Sequence, residues 1–148
     1  MDREYKAATL FYEGYNCAQA VAMAFSDVVG LDEKFCAKAI SSFGGGMGRL
    51  REVCGAVSGM LFIAGLLYGY DTKDDNNAKK EHYARVQALA GKFRVEVGSI
   101  VCREILKNPP SDPTPSPRTA QYYKGRPCVH MVTLAVRIME EYIAEHPL

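Results

Sequence analysis

A chain of 148 residues, 48% of them hydrophobic, has the size of one ordinary domain and can bury a real core. Its 18 basic and 17 acidic side chains leave a formal net charge of +1, which excludes the electrostatic footprint of a nucleic-acid or anionic-membrane binder. The charged opening Met1-Asp2-Arg3-Glu4 is unlike a signal peptide, and five cysteines without an export signal point to a reducing cytoplasm. There, cysteines serve chemistry, metals or cores more often than structural disulfides.

Residues 2 to 13 predict a first helix, with Tyr5, Ala8, Tyr12 and Tyr15 as its apolar stripe and Gly14 as its end. Asn16 with Gln19 three residues later resembles a capping box, which puts Cys17 at the first position of an Ala-rich helix over 17 to 25. Exposed N–H groups and the helix dipole stabilise a thiolate there. The same cysteine also reads as a small hydrophobe opening the helix. A third helix is predicted from Asp32 to Phe43, its stripe Leu31, Phe35, Ala39 and Phe43, with Cys36 a core residue in mid-helix. Gly44-Gly45-Gly46-Met47-Gly48 stops it and permits positive φ. No Gly-Lys-Ser/Thr follows and no βαβ setting surrounds it, so the loop is not read as a nucleotide cradle. It is expected to bring backbone close to Cys54.

From Val53 to Tyr70 the chain has no charged residue, a length that suits either one membrane span or the central helix of a helical protein. Arg49 and Arg51 at one end, three aspartates (Asp71, Asp74 and Asp75) at the other, and the amphipathic character of every other segment favour the buried helix. Gly55 and Gly59, like Gly65 and Gly69, leave patches where neighbours approach closely. Cys54 falls in the first turn. A helix N-terminus and two nearby arginines both lower a thiol pKa, and Gly55 and Ala56 leave the sulfur open, so Cys54 is the expected reactive thiolate.

A polar connection from Asp71 to Asn77 precedes a helix reaching about Val97, with Tyr83, Val86, Ala90, Phe93 and Val97 as its stripe and His82 on its solvated face. Gly98 ends that helix, and Ser99 is expected to cap a short one through Lys107, placing Cys102 in its first turn. Residues 108–118 hold five of the seven prolines and predict a stiff surface loop, its far end pinned by Tyr122 and Tyr123. Pro127 suits the start of a last helix, running to about Glu145 with Val129, Val132, Val136, Met139 and Ile143 inward. Cys128 follows Pro127 directly, and His130 turns to another side.

Cys17, Cys54, Cys102 and Cys128 thus share a place in the first turn of a predicted helix, which Cys36 does not. Antiparallel packing can bring such N-termini to one end of a bundle and gather four sulfurs in one electropositive pocket. The order Asn16-Cys17-Ala18, then Gly44-Gly45-Gly46 leading into Cys54-Gly55-Ala56-x-x-Gly59, then single cysteines at 102 and 128, resembles a family of small redox-active proteins. That family is named for a C…CGA-x-x-(G or R)…C…C pattern, and the resemblance spans about Tyr12 to Tyr142. It implies redox activity through a chemically used chalcogen, some relatives being described as selenoproteins. Gly59 stands where some descriptions of the family have arginine; a mechanism needing that charge would draw on Arg49 or Arg51.

Three functions follow. In the first, Cys54 attacks, another of the four cysteines resolves, and a redox partner protein or small thiol completes the cycle. The second is a four-cysteine zinc or iron–sulfur site, although close Cys-x-x-Cys pairs are lacking. The third is a helical interaction module with structural cysteines. The expected fold is a single all-α domain over residues 1–148. It has about six or seven helices around the buried apolar helix 53–70, with the cysteine site at that helix's N-terminal end.

Overall fold

Short polar side chains fix where the first helices begin. The Asp2 carboxylate accepts from the Glu4 and Tyr5 N–H groups and starts α1 (Arg3–Tyr12). The Gln19 N–H donates to Asn16 Oδ1 at 2.8 Å and the Asn16 N–H donates to Gln19 Oε1 at 3.0 Å. This is the expected capping box, and α2 (Cys17–Ala24) begins at Cys17. One turn, α3 (Ser26–Val29), closes on left-handed Gly30, and Asp32 caps α4 (Glu33–Ile40). A 3-10 turn at Ser41–Phe43 leads into α5 (Gly44–Met47), which is irregular because Gly45 and Gly46 have φ of 68° and 69°. There follow α6 (Gly55–Tyr68), α7 (Asn76–Val97), α8 (Cys102–Ile105), α9 (Ala120–Gly125) and α10 (Cys128–Glu145). This computed structural model describes residues 2–148, and the fold is all-α. Six helices (α1, α2, α4, α6, α7 and α10) have eight residues or more. Among the described residues the only sheet-like pairing is an isolated antiparallel bridge between Val53 and Val101.

The helix enclosed on nearly every side is α2 rather than α6. Alanines at 18, 20, 22 and 24 keep its surface thin, and α1, α4, α6 and α10 all pack against it. At Gly59 a Cβ would stand 2.7 Å from the Ala18 carbonyl oxygen and 3.0 Å from Val21 Cβ, so glycine is what lets α6 and α2 approach this closely. α6 buries Ala56, Val57, Met60, Ile63 and Ala64, while Leu66 is 48% exposed. Its 14 residues span about 21 Å at ~1.5 Å each. No helix among the described residues is long and apolar enough to cross a membrane.

The expected stripes fail at Tyr5, Tyr12, Phe35, Phe43 and Tyr83, which are exposed, and hold at Phe93. In α1 the core takes Ala7, Leu10 and Phe11, while Tyr5 and Tyr12 face water; their hydroxyls keep that hydration, which Leu10 and Phe11 cannot use. In α4 the inward face is Cys36, Ala37 and Ile40, with Phe35 and Phe43 outside. Small side chains suit the close approach of α4 to α2. In α7 Leu89, Ala90 and Phe93 are buried and Tyr83 is exposed. His82 lies buried beside Arg85 at 2.9 Å instead of on a solvated face. The α10 stripe of Val132, Val136 and Met139 is fully buried as expected. Ser99 does not cap a helix through Lys107; only the short α8 forms there. The proline-rich segment crosses the mouth of the 44–54 turn, tied by Arg49 Nε donating to the Asp112 carbonyl at 2.7 Å and Arg51 Nε to that of Pro110 at 2.9 Å. Beyond it the Tyr123 ring packs on Tyr12, centroids 4.9 Å apart.

Candidate functional site

After Gly44 the chain runs through a series of left-handed residues: Gly45, Gly46, Met47, Gly48, Arg49 and Arg51, with φ between 60° and 72°. Left-handed backbone costs a non-glycine residue roughly 1–2 kcal/mol, so three such residues need compensation. The Arg51 and Glu52 N–H groups donate to the Gly45 and Gly46 carbonyls, and Gly48 to that of Gly44. The turn then lays 51–54 against 100–103. Cys54 N donates to Ile100 O at 2.7 Å, Cys102 N to Glu52 O at 2.6 Å, and Arg103 N to Arg51 O at 3.1 Å. Around the Val53–Val101 bridge this register makes Cys54 and Cys102 diagonal neighbours, a relation that places residues roughly 7–8 Å apart in a ladder. At Gly46 a Cβ would come within 2.7 Å of Cys102 Cβ, so the glycine run permits the close approach on which that register depends.

Cys17 opens α2, Cys54 is the residue before α6, Cys102 opens α8 and Cys128 opens α10. All four line one cavity of about 60 Å³, together with apolar Phe11, Ile105, Leu106 and Met131. A Cβ on Gly55 would meet the Cys17 sulfur, so the Cys-Gly order at 54–55 makes the room that Cys17 occupies. Cys36, in α4, is wholly buried away from this cavity. All five cysteines are free thiols. Among the described residues no three His, Cys, Asp or Glu side chains form a group that could hold a metal ion, so the zinc or iron–sulfur alternative has no assembled ligand set.

The electrostatics correct the expectation for Cys54. Its side chain is buried rather than open, and burial pushes the thiol well above its ordinary value; the Ala56 and Val57 N–H groups oppose this and lose. Burial likewise raises Cys17, against the Gly45 N–H. Cys128 is pushed up to about 12, by burial first and by Cys17 second, with Arg126 opposing. The arginines expected to serve Cys54 go elsewhere. Arg49 turns to the Asp112 carbonyl and the Ser116 hydroxyl. Arg51 is 3% exposed and brings Nη1 to 3.7 Å from the Cys102 sulfur, while its Nη2 is buried without a hydrogen-bond partner. A charge that arginine cannot shed therefore sits in the cavity wall with no carboxylate beside it.

Local spacing could not reveal that Arg51 serves a cysteine 51 residues away. Sequence reading also missed Arg118, Tyr122 and Arg126, which line the same cavity. Arg118 spans it from the far side, donating to the Phe11 carbonyl at 2.9 Å and the Tyr15 carbonyl at 3.0 Å and stacking over the Phe11 ring.

A family model described as "Putative redox-active protein (C_GCAxxG_C_C)" matches residues 15–142, which include all four cavity cysteines. The chain belongs to this family. The printed pattern has glycine where Gly59 stands, so no arginine is missing from this position, and the contact of Gly59 with Ala18 supplies a packing reason for glycine there. The pattern prints Gly-Cys-Ala where this chain reads Cys54-Gly55-Ala56. Neither the curated proteins nor the solved structures gave a match.

Proposed function

We propose that this redox-active protein works by thiol–disulfide exchange in the four-cysteine cavity, with Cys102 as attacking sulfur and Cys54 as resolving sulfur. The observation that carries this reading is the Arg51 guanidinium against Cys102: of the four sulfurs, this is the one a permanent positive charge touches by hydrogen bond. Cys54, expected from sequence to attack, has burial holding its proton in place. That suits a resolving thiol, which gives up its proton only when a disulfide lies beside it.

The Cys102 sulfur, as thiolate, attacks one sulfur of a disulfide; a Cys102–substrate disulfide forms and one substrate half leaves as a thiolate. Cys54 then loses its proton to water and attacks Cys102, forming the Cys54–Cys102 disulfide and releasing the second half as thiolate. The substrate gains two electrons and the cysteine pair loses two. Two equivalents of a small thiol return the pair to the dithiol and are themselves joined as a disulfide. Cys17, against Gly55, and Cys128 lie on the same cavity as a second pair able to exchange with the first.

Intact mass and peptide mapping of anaerobically purified protein before and after mild oxidation test this. The expected result is a loss of two hydrogens and a Cys54–Cys102 link, absent in Cys102→Ala and retained in Cys36→Ala. Oxidation that persists in Cys102→Ala while vanishing in Cys36→Ala would overturn the assignment.

A further inference from the structure

Outside the cysteine cavity lies a second one of about 250 Å³, and the two share Asn16, Gly45, Arg51, Arg118, Tyr122 and Arg126 as a common wall. Arg49 joins its lining from the turn, with Gly44 and Gly48, and Pro113, Pro115 and Ser116 close it from the proline-rich segment. Four guanidinium groups therefore surround one space, and no aspartate or glutamate lines it. The protein as a whole carries a net charge of +1, so this concentration is local.

What each arginine already holds shows how much of that charge is unspent. Arg49 has one carboxylate near it, Asp112, at 4.0 Å on the loop outside the lining. Arg118 is engaged by carbonyls and aromatic faces, which satisfy its N–H groups without neutralising it. Arg126 stacks on Tyr122 at 4.8 Å and makes no ion pair among the described residues. Arg51 is 97% buried and keeps Nη2 unpartnered. A buried arginine atom without an acceptor is costly in the empty protein. An anion supplies what is missing, and arginine's planar fork suits carboxylate or phosphate.

We propose that this outer cavity is an anion-binding subsite, and that the substrate of the cysteine pair is a small disulfide whose organic part carries carboxylate groups. This rests on the thiol–disulfide reading for the chemistry, while the subsite rests on the arginines alone. The inner cavity accepts only the sulfur end of such a molecule. The outer one holds its charged body, with Arg51 at the boundary touching both the anion and Cys102.

Three disulfide probes of different charge measure this: oxidised glutathione (anionic), 2-hydroxyethyl disulfide (neutral) and cystamine (cationic). Rates of thiol loss are read with wild type, Arg126→Gln and Arg49→Gln. The redox-inert thioether S-methylglutathione is titrated calorimetrically in parallel. The expected result is fastest oxidation by glutathione disulfide and a drop of about tenfold in that rate in Arg126→Gln. The rate with the neutral probe should fall by a clearly smaller factor, so that the preference for glutathione disulfide narrows, and S-methylglutathione should bind to wild type and about tenfold more weakly to the variant. Equal rates for all three probes with no binding of S-methylglutathione overturn the subsite and leave the exchange chemistry standing. Binding of S-methylglutathione with no oxidation by any probe supports the subsite and overturns the exchange chemistry. Circular dichroism of Arg126→Gln and Arg49→Gln separates lost binding from lost fold.

Discussion

The two ends of α6 use the same kinds of side chain and leave them in opposite states. At its C-terminal end Arg85 is fully engaged: Nε donates to the Tyr142 hydroxyl at 2.7 Å, Nη1 to the Tyr68 carbonyl at 3.2 Å and to His82 Nδ1 at 2.9 Å, with Glu81 at 3.9 Å. The Tyr68 hydroxyl donates to the His146 carbonyl, and the His146 ring stacks on Tyr142 at 4.0 Å. At the N-terminal end Arg51 has a carbonyl and a sulfur, one buried N–H group without an acceptor, and a backbone held at φ 63°. Satisfied polar groups cement a structure; unsatisfied ones next to a cavity are retained at a stability cost, which is the usual mark of a working site. The four thiols fall at the unsatisfied end.

Glycine substitutions at the two ends of α6 should differ most. Gly55→Ala drives a methyl group into the Cys17 sulfur and to 2.9 Å from the Phe43 carbonyl oxygen, and such overpacking costs ~1–3 kcal/mol. Gly65→Ala, ten residues along the same helix toward the other end, meets nothing within 4 Å. It should gain about 0.5–1 kcal/mol from helix propensity. Urea unfolding of the two variants checks this; equal shifts would mean that the crowding around Cys17 is not what the glycine serves. Next comes the arginine pair. Arg85→Met strips Tyr142, Tyr68 and His82 of a charged partner and should cost ~1.5–3 kcal/mol. Arg51→Met should change stability by no more than about 1 kcal/mol, because it also removes an unsatisfied buried charge, while slowing alkylation of Cys102 by iodoacetamide. Similar losses of stability in both would erase the distinction between the ends.

That distinction was only half legible in the sequence. The Asn16–Gln19 box fixed Cys17 at a helix start, and Pro127 did nearly the same for Cys128, because caps are local chemistry. The all-α fold and the run of glycines before Cys54 were legible for the same reason. Burial around Cys54 was not, since desolvation depends on Cys17 and α2, which reach it only through the fold. Nor was the pairing of Arg51 with Cys102, set by a register between 52–54 and 100–102 that no periodicity announces. Tyrosine misled three times: it counts as apolar in a stripe, yet Tyr5, Tyr12 and Tyr83 stay in water while His82, counted as polar, goes under.

The two ends should also titrate separately, with a more modest effect on stability. At the thiol end, burial raises Cys17, Cys54 and Cys128, the last to about 12 from an ordinary 9.0. As pH climbs past 9 the unfolded chain releases these protons and the folded chain keeps them. The unfolded state then binds fewer protons, so stability falls from about 9 upward, through the range to about 12 for Cys128. At the other end, burial first and Arg85 second lower His82 from 6.5. Its Nδ1 accepts from Arg85, and a protonated ring there would set donor against donor. As pH falls through 6.5 the unfolded histidine takes up a proton that the folded one refuses, so stability falls on the acid side until the lowered folded value is passed. Urea midpoints recorded across pH should therefore decline at both extremes for separate reasons. Cys128→Ala should flatten the alkaline limb alone and His82→Gln the acid limb alone. If either substitution flattened both limbs, the two ends of α6 would be titrating as one coupled unit, and the division between a cemented end and a working end would not hold.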